Sequence, residues 1–196
     1  MSPGSRPSII LASRSPRRLE LARGAGWLVT PLPPDEAVEA GQPPRQPAEP
    51  LAAYVQRLAR AKAEAVAATL AAGTLVACDT LSDVDGTVLG KPVDAADARR
   101  MLEALSGRHH RVLTGVCVRR LPDGPPRCGV AESLLEMGPL SEAFLDWYLA
   151  SGLWRGKAGA CGFQDERLPL RLVAGSPSNV VGLPLELLEE MLANEG

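Results

Sequence analysis

Ser13-Arg14-Ser15-Pro16-Arg17-Arg18 gathers hydroxyl and guanidinium groups at one point of the chain. Ser15 suits a helix N-cap and Pro16 the first helical position. Glu or Gln at the third helical position would complete a capping box, but Arg18 stands there. Two arginines in a first turn oppose the helix dipole at roughly 0.3–1 kcal/mol each. An anion at the helix start removes that conflict, because free N–H groups, hydroxyls and guanidinium forks would meet it together. The plain alternative is a capped helix with both arginines in water. Asp79-Thr80 follows an apolar stretch directly. A carboxylate at the carboxyl end of a buried strand lies where open α/β sheets bind ligands. It can hold a divalent cation or take a proton from water, or it can simply cap a turn.

Three further positions carry charge where charge is informative. Lys62 falls on the apolar stripe of a helix, four residues after Leu58, so it either snorkels or enters a polar pocket. Lys91 precedes Pro92 and is therefore held extended, able to reach phosphate oxygens or only solvent. Asp35-Glu36 lies in a proline-rich stretch and can close over a metal–phosphate complex or merely solubilise it. Gln164 ends a glycine-rich segment from Gly156, and its donor–acceptor pair can read a base edge or satisfy a backbone group.

Several familiar arrangements are excluded. Gly86-Thr-Val-Leu-Gly90-Lys91 has three residues where a P-loop has four, and Pro92 replaces the Ser or Thr. Asp83-Val-Asp85-Gly86 would put Leu81 and Pro92 at the ends of a calcium loop, so it reads as a solvated hairpin turn. The four cysteines form no C-x-x-C, His109-His110 belongs to no H-E-x-x-H, and no G-x-S-x-G occurs. The remaining set is cationic anchors, acidic anchors and a helix-start anion cradle without a nucleophile. That set suits metal-assisted attack of water on a phosphate chain.

These residues need elements to position them. Ser8–Ala12 reads as a buried strand, followed by a helix from Pro16 to about Arg23 and a strand over Trp27–Pro31. Residues 32–50 read as a long exposed loop. Leu51–Ala72 is the longest helical stretch, closed by Gly73. Thr74–Cys78 is a strand ending at Asp79-Thr80, and Asp85-Gly86 turns it into Thr87–Leu89. Asp94 caps a helix to Leu105. His110–Leu121 and Cys128–Met137 flank a hairpin connection, and Ser141 caps a helix to Ala150. Pro169–Ala174 and Asn179–Val181 read as short strands, with a closing helix over Pro184–Ala193.

The 196 residues are 45% hydrophobic and 22% charged, with a net charge of −2 and 4% aromatics. That balance fits one soluble domain over residues 1–196, or two lobes sharing a core. It provides no global field or stacking surface for a nucleic-acid polymer. Nineteen glycines and 18 prolines argue against a simple helical bundle. The polar opening at Met1–Pro7 carries no signal-peptide pattern, and no apolar run is long enough for a membrane span. Free cysteines without a disulfide framework fit a reduced, cytoplasmic setting.

The motifs taken together resemble the Maf family of nucleotide pyrophosphatases, also described as septum-formation-inhibitor-like. The segments are LASRSPRRLEL (11–21), YVQRLARAKAEAV (54–66), VACDT (76–80), the stretch from Asp85 to Val116, YLASGLWRGKAGACGFQ (148–164) and GSPSNVVGLPL (175–185). The resemblance implies a Maf/ITPase-like α/β fold, an elongated mixed sheet flanked by helices with a central cleft, often as a homodimer. It implies hydrolysis of a nucleoside triphosphate to the monophosphate and diphosphate with a divalent metal, Mg²⁺ or Mn²⁺. It places the catalytic carboxylate on Asp79, phosphate-binding residues on Ser13, Arg17, Arg18, Lys62 and Lys91, the acidic loop residue on Glu36 and the base-side amide on Gln164. The backbone around Ser15 and the neighbouring Thr80 complete the expected substrate contacts, with Asp79 and Glu36 as the metal carboxylates. Gln164 favours the subgroup acting on dTTP and UTP, with modified nucleotides as the other substrates the resemblance implies. That subgroup usually reads AYGIQG, whereas Cys161 and Asp165 stand here in place of its tyrosine and final glycine. The family's second name suggests a non-catalytic nucleotide-binding regulator of cell division as the alternative.

Overall fold

The computed structural model describes residues 6–193; Met1–Ser5 of the polar opening lie outside them. Chain order is β1 (Ser8–Ala12), α1 (Pro16–Gly24), β2 (Leu28–Pro31), α2 (Glu36–Ala40), α3 (Leu51–Ala67), β3 (Gly73–Val84) and β4 (Thr87–Leu89). It continues through α4 (Ala95–Leu105), β5 (His109–Leu121), β6 (Arg127–Met137) and α5 (Glu142–Ser151). A 3-10 turn at Ala158–Ala160, β7 (Leu170–Ala174), α6 (Pro177–Val181) and α7 (Leu185–Ala193) complete it. The seven strands form one mixed sheet in the order β2-β1-β3-β5-β6-β7, with β4 paired to β3. The α/β class expected from sequence is the class observed.

The chain divides into two compact units. The first holds residues up to Asp79, Thr114–Ala131 and those from Gly182 onward; the second holds Thr80–Leu113 and Glu132–Val181. In the first unit β1 runs parallel to β2 and β3, with Ile10 opposite Leu75 and Ala12 opposite Ala77. Strand β1 and the first part of β3 are buried on both faces, which is why they read as continuous apolar runs, whereas β2 is an exposed edge. Parity sorts their side chains. Ile9, Leu11, Val76, Cys78, Val116 and Val118 pack with residues of α1 and α7. Ala12, Leu75, Ala77 and Cys117 pack with Ala59, Ala63, Val66 and Ala67 of α3 on the other face. Gly115 lets α3 come close. A Cβ there would lie 2.4 Å from the Val55 carbonyl oxygen.

The second unit builds its own core. The stripe Ala98, Met101, Leu102 and Leu105 of α4 packs with Val84, Leu89, Met137, Leu145, Tyr148 and Trp154. The distal part of β3 pairs antiparallel with β4, Ser82 opposite Leu89 and Val84 opposite Thr87. Asp85 and Gly86 take φ of 50° and 82° in the turn between them, the backbone an Asp-Gly hairpin requires.

Five expectations are corrected. The stretch 32–50 is not all loop. Asp35 caps the short helix α2, its Oδ1 accepting from the Ala37 N–H at 3.0 Å, a signal hidden among prolines. Helix α3 stops at Ala67 rather than Ala72. The Thr69 hydroxyl donates to the Val66 carbonyl at 2.8 Å and closes the end, and Gly73 opens β3 instead. Strand β3 does not end at Asp79-Thr80 but runs on to Val84, because pairing with β4 takes over beyond the pairing with β1. Asn179–Val181 is helix, not strand. Ser176-Pro177 repeats the cap-plus-proline start, with Ser176 Oγ accepting from the Asn179 N–H at 3.2 Å, and this outweighs the β preference of two valines. Asp83 is not solvated. It is 4% exposed and accepts from the Arg111 guanidinium at 2.6 and 3.0 Å, while Asp85 stays at the surface.

Candidate active site

Asp79 is the second residue after Ala77 on β3, so parity turns it toward the same face as Leu75 and Ala77, the face α3 covers. The buried stripe of α3 includes Leu51, Val55, Leu58 and then Lys62. These two patterns bring Lys62 Nζ onto Asp79 Oδ1 as an ion pair. The lysine side chain is 9% exposed and the carboxylate 15%. Of the two sequence options for Lys62, the polar pocket is therefore the observed one. A pair this enclosed is costly to break from one side, because the remaining charge stays buried.

The helix-start segment closes on the same strand. Ser15 caps α1, its Oγ accepting from the Arg18 N–H at 3.5 Å, and Ser13 Oγ accepts from the Ser15 N–H at 3.1 Å. Arg18 turns back across the helix start. Its Nε donates to the Gly182 carbonyl at 2.7 Å, and its Nη1 donates to the Cys78 carbonyl at 2.8 Å and to Ser13 Oγ at 3.5 Å. The residue directly before Asp79 is thus tied to α1. Arg17 sits beside Arg18, half-buried. Cys78 lies beneath, fully buried, its thiol pushed up to about 11 by burial, which disqualifies it as a nucleophile.

Arg14 received no role from the sequence and has one in the structure. Its Nη2 donates to the Pro34 carbonyl at 3.0 Å and its Nη1 lies 3.3 Å from Glu36 Oε1. This arginine ties the acidic segment to the β1–α1 turn and leaves Glu36 largely in solvent. The only sequence signal was its place between two serines that already mattered. What it reaches depends on where residues 34–36 fold back.

The first unit therefore holds Ser13, Ser15, Arg18, Glu36, Lys62 and Asp79, linked by the contacts above or through Arg14, with Arg17 next to Arg18 on α1. Thr80, Lys91 and Gln164 fall in the second unit. Thr80 is half-buried in β3, and Lys91 is exposed just past β4. Gln164 is exposed and lines a concavity of about 450 Å³ with Trp147, Tyr148, Leu153, Asp165 and Arg167. Among the described residues no three His, Cys, Asp or Glu side chains converge as a metal centre. No helix among them is long and apolar enough to cross a membrane.

An α/β protein with a mixed sheet, and an acid on its third strand held by a buried lysine, is the class that fold and site define. The chain belongs to the Maf-like protein family, whose model matches residues 8–195. It is 46% identical over 194 residues to a dTTP/UTP pyrophosphatase of Anaeromyxobacter sp. (strain Fw109-5), covering 96% of this chain and 89% of the relative. A protein of the same description from Rhodopirellula baltica is 42% identical, covering 95% of this chain and 82% of the relative. One from Pyrococcus abyssi is 39% identical, covering 94% of each.

Proposed function

We propose that this chain hydrolyses nucleoside triphosphates, dTTP and UTP foremost, to the monophosphate and diphosphate. The observation that carries the reading is the ion pair between Lys62 of α3 and Asp79 of β3, joined to the α1 start through the Arg18 bond to the Cys78 carbonyl. The names of the relatives support the same activity.

Arg17, Arg18, Lys62 and Lys91 supply positive charge to the polyphosphate, and the capped start of α1 offers it N–H groups. Lys62 fixes the orientation of the Asp79 carboxylate. Asp79 orients a water and accepts its proton as the water oxygen bonds to the α-phosphorus. The bond from that phosphorus to the bridging oxygen breaks, and diphosphate leaves. Asp79 and Glu36 are the carboxylates that would hold a divalent cation, Mg²⁺ or Mn²⁺. Two carboxylates suit such a site, because Mg²⁺ uses one or two from the protein and completes its shell with water and phosphate oxygens. When bound, the cation neutralises charge developing on the phosphates. Gln164, the base-side amide of the family resemblance, supplies the donor and acceptor that would read the base.

A non-catalytic nucleotide-binding regulator is the weaker reading, since Asp79 and Glu36 would only repel phosphates there. The test is a panel of canonical and modified triphosphates with Mg²⁺ or Mn²⁺, read as diphosphate release. Fast release from dTTP and UTP is expected. Tight binding with every ligand left intact overturns the proposal.

A further inference from the structure

Asp165 is a carboxylate held from three sides inside the second unit. Tyr148 Oη donates to its Oδ2 at 2.5 Å, from α5. Lys157 Nζ donates to Oδ1 at 2.6 Å and to Oδ2 at 2.5 Å, from just ahead of the 3-10 turn. The Gly162 N–H donates to Oδ2 at 3.2 Å. Both charged side chains are only 12% exposed. The backbone reinforces the arrangement, with the Asp165 N–H donating to the Gly162 carbonyl at 3.0 Å and the Leu168 N–H to the Asp165 carbonyl at 2.8 Å. Lys157 reaches its partner across Gly162. A Cβ at that position would lie 2.9 Å from Lys157 Nζ and 3.0 Å from its Cε. None of this polar cluster is used by the proposed chemistry.

What the clamp holds is the turn that carries Gln164. The glutamine is next to Asp165 in the chain and shares the concavity with Trp147 and Tyr148. An exposed glutamine has three rotatable bonds, and its amide discriminates a donor from an acceptor only when the backbone beneath it is fixed. Shifting this backbone would unpair a buried carboxylate and a buried ammonium at once, which is costly.

We propose that Asp165 is a positioning residue for Gln164, anchoring its turn to Tyr148 and Lys157 so that base selectivity is set by a pre-oriented amide. The inference rests on the pyrophosphatase reading above and deepens it. Asp165 itself touches no reacting atom.

The experiment compares wild type, D165N, Y148F, Q164A and the double variants D165N/Q164A and Y148F/Q164A, each checked for an intact melting transition. kcat and KM are measured for dTTP, UTP, dATP and dGTP. D165N is expected to lose about tenfold in kcat/KM for the pyrimidine nucleotides, mainly through KM, and to narrow the gap to the purines. Y148F, which removes one donor of three, shows the same pattern at about threefold. In the Q164A background D165N changes base selectivity by less than about twofold, because the group it acts through is gone. The inference is overturned if D165N and Y148F lower all four substrates equally, or if the selectivity change persists undiminished without Gln164. If wild type releases diphosphate from no triphosphate, the pyrophosphatase reading itself falls, and this inference with it. If D165N does not fold, the Y148F comparison, with and without Q164A, decides.

Discussion

Replacing Lys62 by methionine keeps most of the side-chain volume and removes the ammonium from Asp79. The carboxylate then remains in a site where it is 15% exposed, with its ion-pair partner gone. Removing one member of a buried pair costs about 3–5 kcal/mol, and the residual access to water puts this case near 3 kcal/mol. For a chain of this length each kcal/mol lowers Tm by about 2–4 °C, so K62M should melt about 6–12 °C below wild type. D79N leaves the ammonium facing an amide oxygen that still accepts, so its cost is smaller, about 2 kcal/mol. The double variant K62M/D79N has no orphaned charge. Its destabilisation should fall short of the summed single costs by about 2 kcal/mol, within the range for contacting residues. Thermal unfolding followed by circular dichroism measures all four proteins. Diphosphate release follows the chemistry, where D79N should lose about 10²–10⁴-fold in turnover. Additivity within about 0.5 kcal/mol would show that the two groups do not depend on each other. Retained turnover in D79N would remove Asp79 from the reaction.

His110 is 3% exposed, and burial, with charge on His109 adding to it, pushes its imidazole down to about 4. Between about pH 6.5 and pH 4 the unfolded chain binds a proton there that the folded chain does not. Stability therefore falls as pH drops through that window, by up to about 3 kcal/mol, and levels off below it. H110Q should flatten that slope in melting curves taken across the window, and an unchanged slope would count against the assignment. Alkylation of the native protein should reach Cys128 first. It is half-buried, and the hydrogen bond from the Cys117 thiol lowers it, whereas burial holds Cys78 near 11 and Cys161 near 12. Peptide mapping after brief labelling reads the order, and equal labelling of Cys78 and Cys128 refutes it.

The pattern of chemistry-bearing residues was legible before any fold was known. Ser15-Pro16 declares a helix start through local backbone chemistry, and Asp85-Gly86 declares a hairpin because both residues tolerate positive φ. Lys62 was conspicuous because a charge interrupted an apolar stripe. Boundaries fared worse where long-range pairing decides. Nothing local tells β3 to continue past Asp79, since its continuation depends on β4 folding back beside it. Asn179–Val181 reads as a strand because two valines favour one, while the helix Pro177–Val181 is stabilised by burying Asn179 against Val112 and Ser133.

Residue types, their spacing and their local caps determined which side chains were available and which elements would carry them, because those signals act within a few positions of one another. Tertiary structure alone decided the partners. Lys62 meets Asp79 across 17 residues, Arg18 meets the Cys78 carbonyl across 60, and Arg14 selects Glu36. The physical reason is that a charge seeks its complement in space, and sheet parity and helix docking, settled by the apolar core, determine which complement lies within reach.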